Sequence, residues 1–193
     1  MLPSDSLRLA IITGSVRDSR FGPTVSAWFA AQARDHGAYD VDVIDLAAYQ
    51  FPNSMVKTPD VEDFARRIDE ADAVVVITPE YNHSFPGPLK TAIDALKAPW
   101  QAKPVGFVAY GGMSGGLRAV EALRIVFAEL HATTIRDTVS FHRARNQFDA
   151  EGNPVDPEAV NAAARVVLDQ LEWWGSALQQ ARAARPYGQK VAV

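Results

Sequence analysis

The feature that most constrains the fold of this 193-residue chain is a strict alternation of short apolar runs with segments of helical periodicity. Apolar residues recurring every three to four positions predict five helices, and the last of these extends between about Val160 and Leu178. Two of the apolar runs are uninterrupted, which is typical of parallel strands covered on both faces. The runs that predict strands are 7–13, 39–46, 73–78, 104–110 and 133–139.

Five strands alternating with five helices predict an α/β fold, a three-layer doubly wound parallel sheet with helices on both faces. Right-handed crossovers leave few topologies, and the common five-stranded order is 2-1-3-4-5. The length suits a single domain over residues 1–193. We expect a polar loop at 140–155, with at most a short strand, and a loosely ordered tail from about residue 185.

Composition excludes several classes of function. A net charge of -4 argues against a non-specific nucleic-acid binder, because there is no cationic excess to displace counterions. The chain has no cysteine, which excludes disulfides, thiolate metal sites and cysteine nucleophiles. The four histidines are scattered without an i, i+4 pair, so we expect no metal site. Without a secretory leader or a membrane-length apolar segment, a cytoplasmic location away from the membrane is expected.

Open sheets of this kind bind ligands beyond the carboxyl ends of their strands, at the point where the strand order reverses. For the order 2-1-3-4-5 this point lies between the loops after strands one and three, with the loop after strand four nearby. All three loops are unusual in composition. They read "GSVRDSRFG" at 14–22, "PEYNHSF" at 79–85 and "YGGMSGG" at 110–116.

The first loop has the groups that an anion needs, although it matches neither dinucleotide-binding nor P-loop spacing. Gly14 permits a tight turn, and the helix that follows presents its N-terminus. Ser15 and Ser19 supply hydroxyl donors, while Arg17 and Arg20 supply charge. The alternative is a solvated loop with an ordinary helix cap.

The second loop is stiffened by proline. Pro79 fixes its own backbone, and Ser84 is a suitable cap for the next helix. A loop held in this way loses little entropy when it lines a flat ligand. Tyr81 would offer an aromatic face and Asn82 an amide. The alternative is a capped turn with Tyr81 packed on the surface.

The third loop is rich in glycine, which lets a backbone lie close to a ring or a phosphate. A simple turn with Ser114 as a helix cap is the alternative. The segment "GMSGG" also satisfies the spacing of a hydrolase nucleophile elbow at Ser114. A serine hydrolase would then need an acid and a base later in the chain, and Asp137, His131 and His142 are available.

With these loops assembled, the chain resembles the NAD(P)H-dependent FMN reductase family of flavodoxin-like proteins. The resemblance is carried by "GSVRDSRFG", "TPEYNHSFPGPLKTAIDAL" and "YGGMSGGLRAVEALR", and extends from the first strand to about residue 139. It implies bound FMN, NADPH or NADH as hydride donor, and a homodimer or homotetramer. The widely apolar fourth helix is compatible with such a subunit contact.

The resemblance also implies positions for the cofactor. The phosphate would bind at Ser15, Arg17, Ser19, Arg20, Phe21 and Gly22. The ring would lie beside Pro79, Glu80, Tyr81 and Asn82. Its far edge would lie against Gly111, Gly112, Ser114 and Gly115. One segment departs from the family pattern, since many members have Asn where this chain continues from Ser19 into Arg20.

The hypothesis for activity is a ping-pong exchange at one open site. A nicotinamide passes hydride to flavin N5 and leaves, and a small acceptor then binds in the same place. Acceptors of this class are a quinone, an azo compound, free flavin or a metal oxyanion. No side chain is assigned as catalytic, because the flavin carries the chemistry. A flavodoxin-like electron carrier remains an alternative.

Overall fold

A computed structural model of the protein describes residues 6–54 and 56–188. It contains a five-stranded, all-parallel sheet whose strand order is β2-β1-β3-β4-β5. This confirms the α/β fold and the predicted order 2-1-3-4-5. The strands are β1 (Leu7–Thr13), β2 (Tyr39–Asp45), β3 (Ala73–Pro79), β4 (Pro104–Tyr110) and β5 (Thr133–Phe141).

Helices cover both faces of the sheet. Each face has its own apolar cluster: α1 and α5 pack on one face of the sheet, and α2, α3 and α4 pack on the other. The three-layer arrangement is therefore confirmed. The helices are α1 (Gly22–His36), α2 (Pro59–Glu70), α3 (Gly87–Asp94), α4 (Leu117–Glu129) and α5 (Pro157–Ala184).

The centre of the sheet is also the centre of the core. Every residue of β3 and of β4 is buried, as their unbroken apolar sequences require. Removing one such side chain from water stabilises the fold by about 1.5–3 kcal/mol. The outer strands β2 and β5 mix buried and partly exposed residues, because each lies at an edge. The carboxyl ends of β1, β3 and β4 are consequently held in fixed relative positions.

The structure differs from the predicted elements near the carboxyl end. Strand β5 continues to Phe141, and α5 begins before Val160 and continues past Leu178. The expected loop at 140–155 contains a 3₁₀ turn at Ala144–Asn146 and a single bridge between Phe148 and Pro154.

The expected cap at Ser84 is wrong. Helix α3 has Pro86 at its N-cap position without a side-chain cap, and the backbone of Ser84 pairs with Tyr81 instead.

Within α3, the i, i+4 spacing of Lys90 and Asp94 indicates an ion pair. The structure contains this pair, with 2.6 Å between Lys90 Nζ and Asp94 Oδ2.

The expected tail is only partly described. Tyr187 lies in a turn after α5, where its hydroxyl oxygen is 3.0 Å from His131 Nδ1. Residues 189–193 lie outside the described residues. Of the helices that the structure describes, none is both long enough and apolar enough to cross a bilayer.

Candidate functional site

The three unusual loops meet at one cleft of about 510 Å³, beyond the carboxyl ends of β1, β3 and β4. Its volume lies within the usual range for small-molecule sites. A fourth segment, which follows β5, closes one side. The cleft is lined by Arg17, Asp18, Ser19, Arg20, Phe21, Pro79, Glu80, Tyr81, Tyr110, Gly111, Gly112, Arg143, Ala144, Arg145 and Asn146.

The loop after β1 presents free backbone donors. Across the described parts of the chain, no protein acceptor receives a hydrogen bond from the backbone N–H groups of Ser15 to Ser19. Helix α1 then begins at Gly22, with Phe21 at the N-cap position, no side-chain cap and no acidic residue in its first turn. An uncapped helix N-terminus beside free N–H groups favours an anion. This end of the cleft therefore fits a phosphate.

The two arginines of this loop have different surroundings. The Arg17 side chain extends over the Tyr81 ring, with 5.1 Å between the guanidinium carbon and the ring centroid. The Arg20 guanidinium pairs with both carboxylate oxygens of Asp45, each at 2.6 Å. Burial alone would raise the pKa of Asp45, but the hydrogen bonds from Arg20 and the Ala47 N–H hold it below its usual value. Arg20 lines the cleft with its charge already matched.

Ser15 and Gly22 form the floor below this loop and do not line the cleft. Ser15 is fully buried, and the Tyr110 hydroxyl donates to its Oγ over 3.1 Å. A Cβ on Gly22 would lie 2.4 Å from the same oxygen, so only glycine fits there. Burial raises the pKa of Tyr110 to about 12, which keeps its hydroxyl protonated as the donor.

The loop after β3 is a tight two-residue turn. Tyr81 and Ser84 exchange backbone hydrogen bonds of 2.9 and 3.1 Å around Asn82 and His83. Both turn residues have left-handed backbone, with φ of 49° and 72°. The turn holds Tyr81 in the wall of the cleft and places Asn82 at an exposed tip, away from the lining.

Glu80 joins this loop to α4. Its carboxylate is almost fully buried, and it accepts from the backbone N–H of Arg118 at 3.3 Å and from the Arg118 guanidinium at 3.2 Å. Burial opposes ionisation, but hydrogen bonds from the Ser114 hydroxyl and from Arg118 hold the pKa of Glu80 below its usual value. Glu80 is therefore an ionised structural link in the cleft wall.

The glycine loop after β4 is shaped by close approach. Gly115 has φ of 62°, and a Cβ there would lie 2.4 Å from Ser140 Oγ and 2.7 Å from His142 Cδ2. Gly111 and Gly112 line the cleft, whereas Ser114 and Gly115 lie behind it. No side chain fits at Gly115 without moving the end of β5.

The hydrolase alternative lacks its catalytic contacts. His142 Nδ1 lies 2.8 Å from the Met113 carbonyl oxygen, and its Nε2 lies 3.4 Å from Ser140 Oγ. Asp137 is bonded to Gln170 and to Arg136. Among the described residues no hydrogen bond joins Ser114 to a histidine, so no Ser-His-Asp arrangement is present.

The segment after β5 supplies part of the cleft that the sequence analysis missed. The Arg143 N–H donates to Gly112 O over 2.7 Å, and the Arg145 guanidinium carbon lies 5.6 Å from the centre of the Phe21 ring. Asn146 completes this side. The signal that could have indicated this side of the cleft is the basic run "HRARN", which directly follows a strand. The sequence analysis assigned its residues to a polar loop.

An aromatic cluster brings this segment back to the site. Phe148 packs edge-on against Phe21, with 5.3 Å between ring centroids, and lies 4.9 Å from Phe141. Trp28 of α1 closes the cluster from below, 5.1 Å from Phe141 and 6.4 Å from Phe148. These contacts fold the chain after β5 across α1, which no local sequence pattern indicates.

The lining as a whole fits a flat ligand that carries a phosphate. Arg17, Arg143 and Arg145 line the cleft, and within residues 6–54 and 56–188 none of their guanidinium groups pairs with a carboxylate. Tyr81 and the glycine backbone provide flat walls beside them. Positive charge and free N–H groups, with flat surfaces beside them, match the chemistry of FMN.

One group of potential metal ligands lies outside the cleft. His36 Nε2 is 2.9 Å from the Asp169 carboxylate and 3.9 Å from that of Glu172. The other nitrogen, Nδ1, is buried and has no hydrogen-bond partner among the residues that the structure describes. The Nε2–H tautomer, which donates to Asp169, leaves no buried N–H unpaired. We therefore interpret this group as a hydrogen-bonded link between α1 and α5, formed by His36 and Asp169.

Comparisons with known proteins agree with this geometry. The NADPH-dependent FMN reductase family profile matches residues 7–146. The chain is 31% identical over 174 residues to an NADPH:quinone oxidoreductase of Arabidopsis thaliana, covering 84% of this chain and 89% of that protein. It is 32% identical over 186 residues to an NAD(P)H-dependent FMN reductase of Pseudomonas aeruginosa, covering 89% and 96%.

A solved structure shows the same fold. FerB, a flavoenzyme NAD(P)H:(acceptor) oxidoreductase of Paracoccus denitrificans, matches with a TM-score of 0.71 at 20% identity, covering 89% of this chain and 98% of that one. The flavodoxin-like fold is thereby confirmed. From the family match and the two sequence relatives, we conclude that this protein belongs to the NADPH-dependent FMN reductase family of oxidoreductases, which use FMN as cofactor and NAD(P)H as hydride donor.

Proposed function

We propose that this protein reduces a small quinone-type acceptor at the expense of NAD(P)H, by a ping-pong exchange in the cleft described above. When bound, FMN would supply the two-electron hydride chemistry that links the donor to the acceptor. The observation that carries the proposal is the meeting of an open anion-binding end and flat walls in one cleft of about 510 Å³. The quinone reductase name of the Arabidopsis relative supports the acceptor class.

The chain's own groups would divide the work between binding and access. The backbone N–H groups of Ser15 to Ser19 and the Arg17 guanidinium would hold the phosphate. Tyr81 and the backbone of Gly111 and Gly112 would hold the ring on either side. Since the turn at Asn82 and His83 is closed by its own hydrogen bonds, this wall loses little entropy when a ligand binds.

The second ligand would meet the segment after β5. Arg143 and Arg145 face the cleft without a carboxylate partner in the described chain. Unpaired guanidinium groups at a cleft mouth attract anions and raise their rate of encounter. A phosphate-bearing dinucleotide is the donor that this charge favours. A neutral quinone can then enter the same space after the donor has left.

The experiment is a spectral and kinetic test of the purified protein. FMN is added in calorimetry, and the complex is then reduced anaerobically with NADPH while its visible absorbance is recorded. We expect saturable FMN binding, loss of the flavin absorbance with NADPH, and its return on adding a benzoquinone. Steady-state initial rates at varied donor and acceptor should yield parallel double-reciprocal lines.

Two results would overturn the proposal. A protein that gives no heat with FMN has no flavin site of the proposed kind. A protein that binds FMN but consumes no NADPH in the presence of quinone is an electron carrier, the alternative that shares this fold. Intersecting lines in the double-reciprocal plots would contradict the ping-pong order and leave the proposed reductase activity in place.

A further inference from the structure

Arg20 has a set of contacts that differs from every other arginine at the cleft. Its Nη1 donates to the Ser15 carbonyl oxygen over 2.6 Å as well as to Asp45 Oδ1, while its Nη2 donates to Asp45 Oδ2. Only 17% of its side chain is exposed. A planar guanidinium used bidentately in this way fixes geometry as well as charge.

Asp45 is a firm anchor for this arginine. It is the last residue of β2 and lies opposite Thr13, the last residue of β1, in the parallel register. Its Oδ1 also accepts the Ala47 N–H over 3.1 Å, from the short 3₁₀ turn that follows β2. The pair therefore ties the loop after β1 to the rigid end of the neighbouring strand.

The bond to the Ser15 carbonyl orients the loop backbone. In a planar trans peptide the carbonyl and the following N–H point in opposite directions. Holding the Ser15 carbonyl toward Arg20 thus turns the Val16 N–H away from it. From the other side the Tyr110 hydroxyl holds the Ser15 side chain. The loop is fixed at its root while the N–H groups of Ser15 to Ser19 stay free of protein acceptors in the described chain.

We propose that Arg20 is a positioning residue, which together with Asp45 holds the loop after β1 in its phosphate-receiving conformation and is not itself the cation that the phosphate meets. The inference rests on the proposed function and deepens it. It replaces the role that the family resemblance implied for Arg20, that of a direct phosphate ligand. It leaves the charge facing the phosphate to Arg17.

The two roles predict opposite effects for Asp45→Asn. This substitution keeps the shape of the side chain and removes the negative charge that matches Arg20. If Arg20 were a ligand, losing its competitor would tighten FMN binding or leave it unchanged. If Arg20 positions the loop, losing the ion pair loosens the loop and weakens FMN binding, by about tenfold or more for a hydrogen-bonded charge pair.

The experiment measures dissociation constants for FMN and for riboflavin by calorimetry in the wild type, Asp45→Asn, Arg20→Ala and Arg20→Lys. Riboflavin lacks the phosphate, so the ratio of the two constants isolates phosphate recognition from ring binding. Positioning predicts that all three variants lose most of this ratio, Arg20→Lys included, because an ammonium cannot bridge Asp45 and Ser15 with fixed geometry. Arg66→Ala is the control, since Arg66 pairs with Asp63 and Glu70 on the surface of α2.

The double variant Arg20→Ala with Asp45→Asn provides a second measurement. Positioning predicts that it binds no more weakly than either single variant, because both remove the same link. An FMN complex in Asp45→Asn that is as tight as in the wild type or tighter, or an unchanged ratio in Arg20→Lys, would overturn the inference. These results leave the flavin site itself intact, whereas a wild type that does not bind FMN defeats the proposed function.

Discussion

Arg17 is the cation of the loop after β1 whose charge no carboxylate of the described residues matches. It contacts the Tyr81 ring, and in the described chain it has no carboxylate partner. We predict that Arg17→Ala raises the dissociation constant of FMN by roughly tenfold to a hundredfold, as expected for losing one or two charge-assisted hydrogen bonds. Calorimetric titration at low and at high salt measures it, and the loss should shrink as salt rises.

Arg136→Ala is the matched control for Arg17. Its side chain is 90% exposed on β5 and, among the described residues, forms a hydrogen bond only with the neighbouring Asp137. The two substitutions remove the same charge from different places. Equal affinities for FMN in the two variants would contradict the assignment of Arg17.

Two glycines of the same loop should respond differently to alanine. At Gly115 the left-handed backbone and a Cβ contact of 2.4 Å with Ser140 make the substitution strained, so we predict a loss of at least about 1 kcal/mol in the free energy of unfolding. At Gly112 a Cβ meets nothing within 4 Å, and the same measurement should change little. Urea unfolding compares the two, and equal destabilisation would show that the loop conformation differs from the one described.

Single residues also mark the limit of sequence reasoning about the site. Arg17 and Arg20 look equivalent in the sequence, and the structure distinguishes them by the ion pair of Arg20 with Asp45, which is 25 positions away. Ser15 is in the right loop, yet its hydroxyl faces Tyr110 of another strand. The directions of these side chains are set by partners in other strands, and the sequence of the loop alone does not identify those partners.

Lys103 connects two elements at the amino ends of the strands, opposite the cleft. It is 4% exposed, precedes β4, and donates from Nζ to the carbonyl oxygens of Asp69 and Ala71 at the end of α2. Burial, together with the nearby charge of Arg182, lowers the pKa of Lys103 to about 8. A cation favours a helix carboxyl end, but this one carries a desolvation cost.

The lowered pKa predicts a rise in stability with pH. The folded protein releases the Lys103 proton near pH 8, whereas the unfolded chain keeps it to about 10.5. Between these values the unfolded state binds more protons, so the free energy of unfolding rises with pH, by up to about 1.4 kcal/mol per unit. Urea unfolding at pH 7.5, 8.5 and 9.5 tests this, with Lys103→Met expected to lack the rise. A wild type that loses stability over this range would contradict it.

Whole elements were easier to predict than their ends and connections. The central strands β3 and β4 are unbroken apolar runs buried at every position, so period and burial agree. The segment after β5 was not placed, because its position depends on Phe148 packing against Phe21 and Phe141. Such a contact between distant aromatic residues has no local periodicity.

At the scale of the whole molecule, we propose a homo-oligomer that uses α4. Leu117 and Ile125 are exposed apolar residues of α4, and Met113 of the preceding glycine loop is 87% exposed. Larger exposed apolar patches are typical of interaction surfaces, and these three residues are the candidates for one. Light scattering should therefore give two or four times the mass of one chain.

Ile125→Glu tests which surface is used. We predict that it lowers the measured mass toward that of a single chain, because a carboxylate would be buried without a partner. Val166→Glu on α5 is the matched control, since Val166 is also an exposed apolar helix residue. Dissociation by the α5 variant alone would move the interface to α5, and a monomeric wild type would end the proposal.

The aromatic cluster under the cleft has an optical consequence. Trp28 is almost fully buried beside Phe141 and Phe148, Trp100 is buried in the core on the other face of the sheet, and Trp173 and Trp174 are exposed on α5. Flavins absorb at the wavelengths where indole emits, so a cofactor in the cleft should quench tryptophan emission by energy transfer, with Trp28 the tryptophan packed under the cleft. A fall in the intrinsic fluorescence of the protein would then report cofactor occupancy directly, without a label.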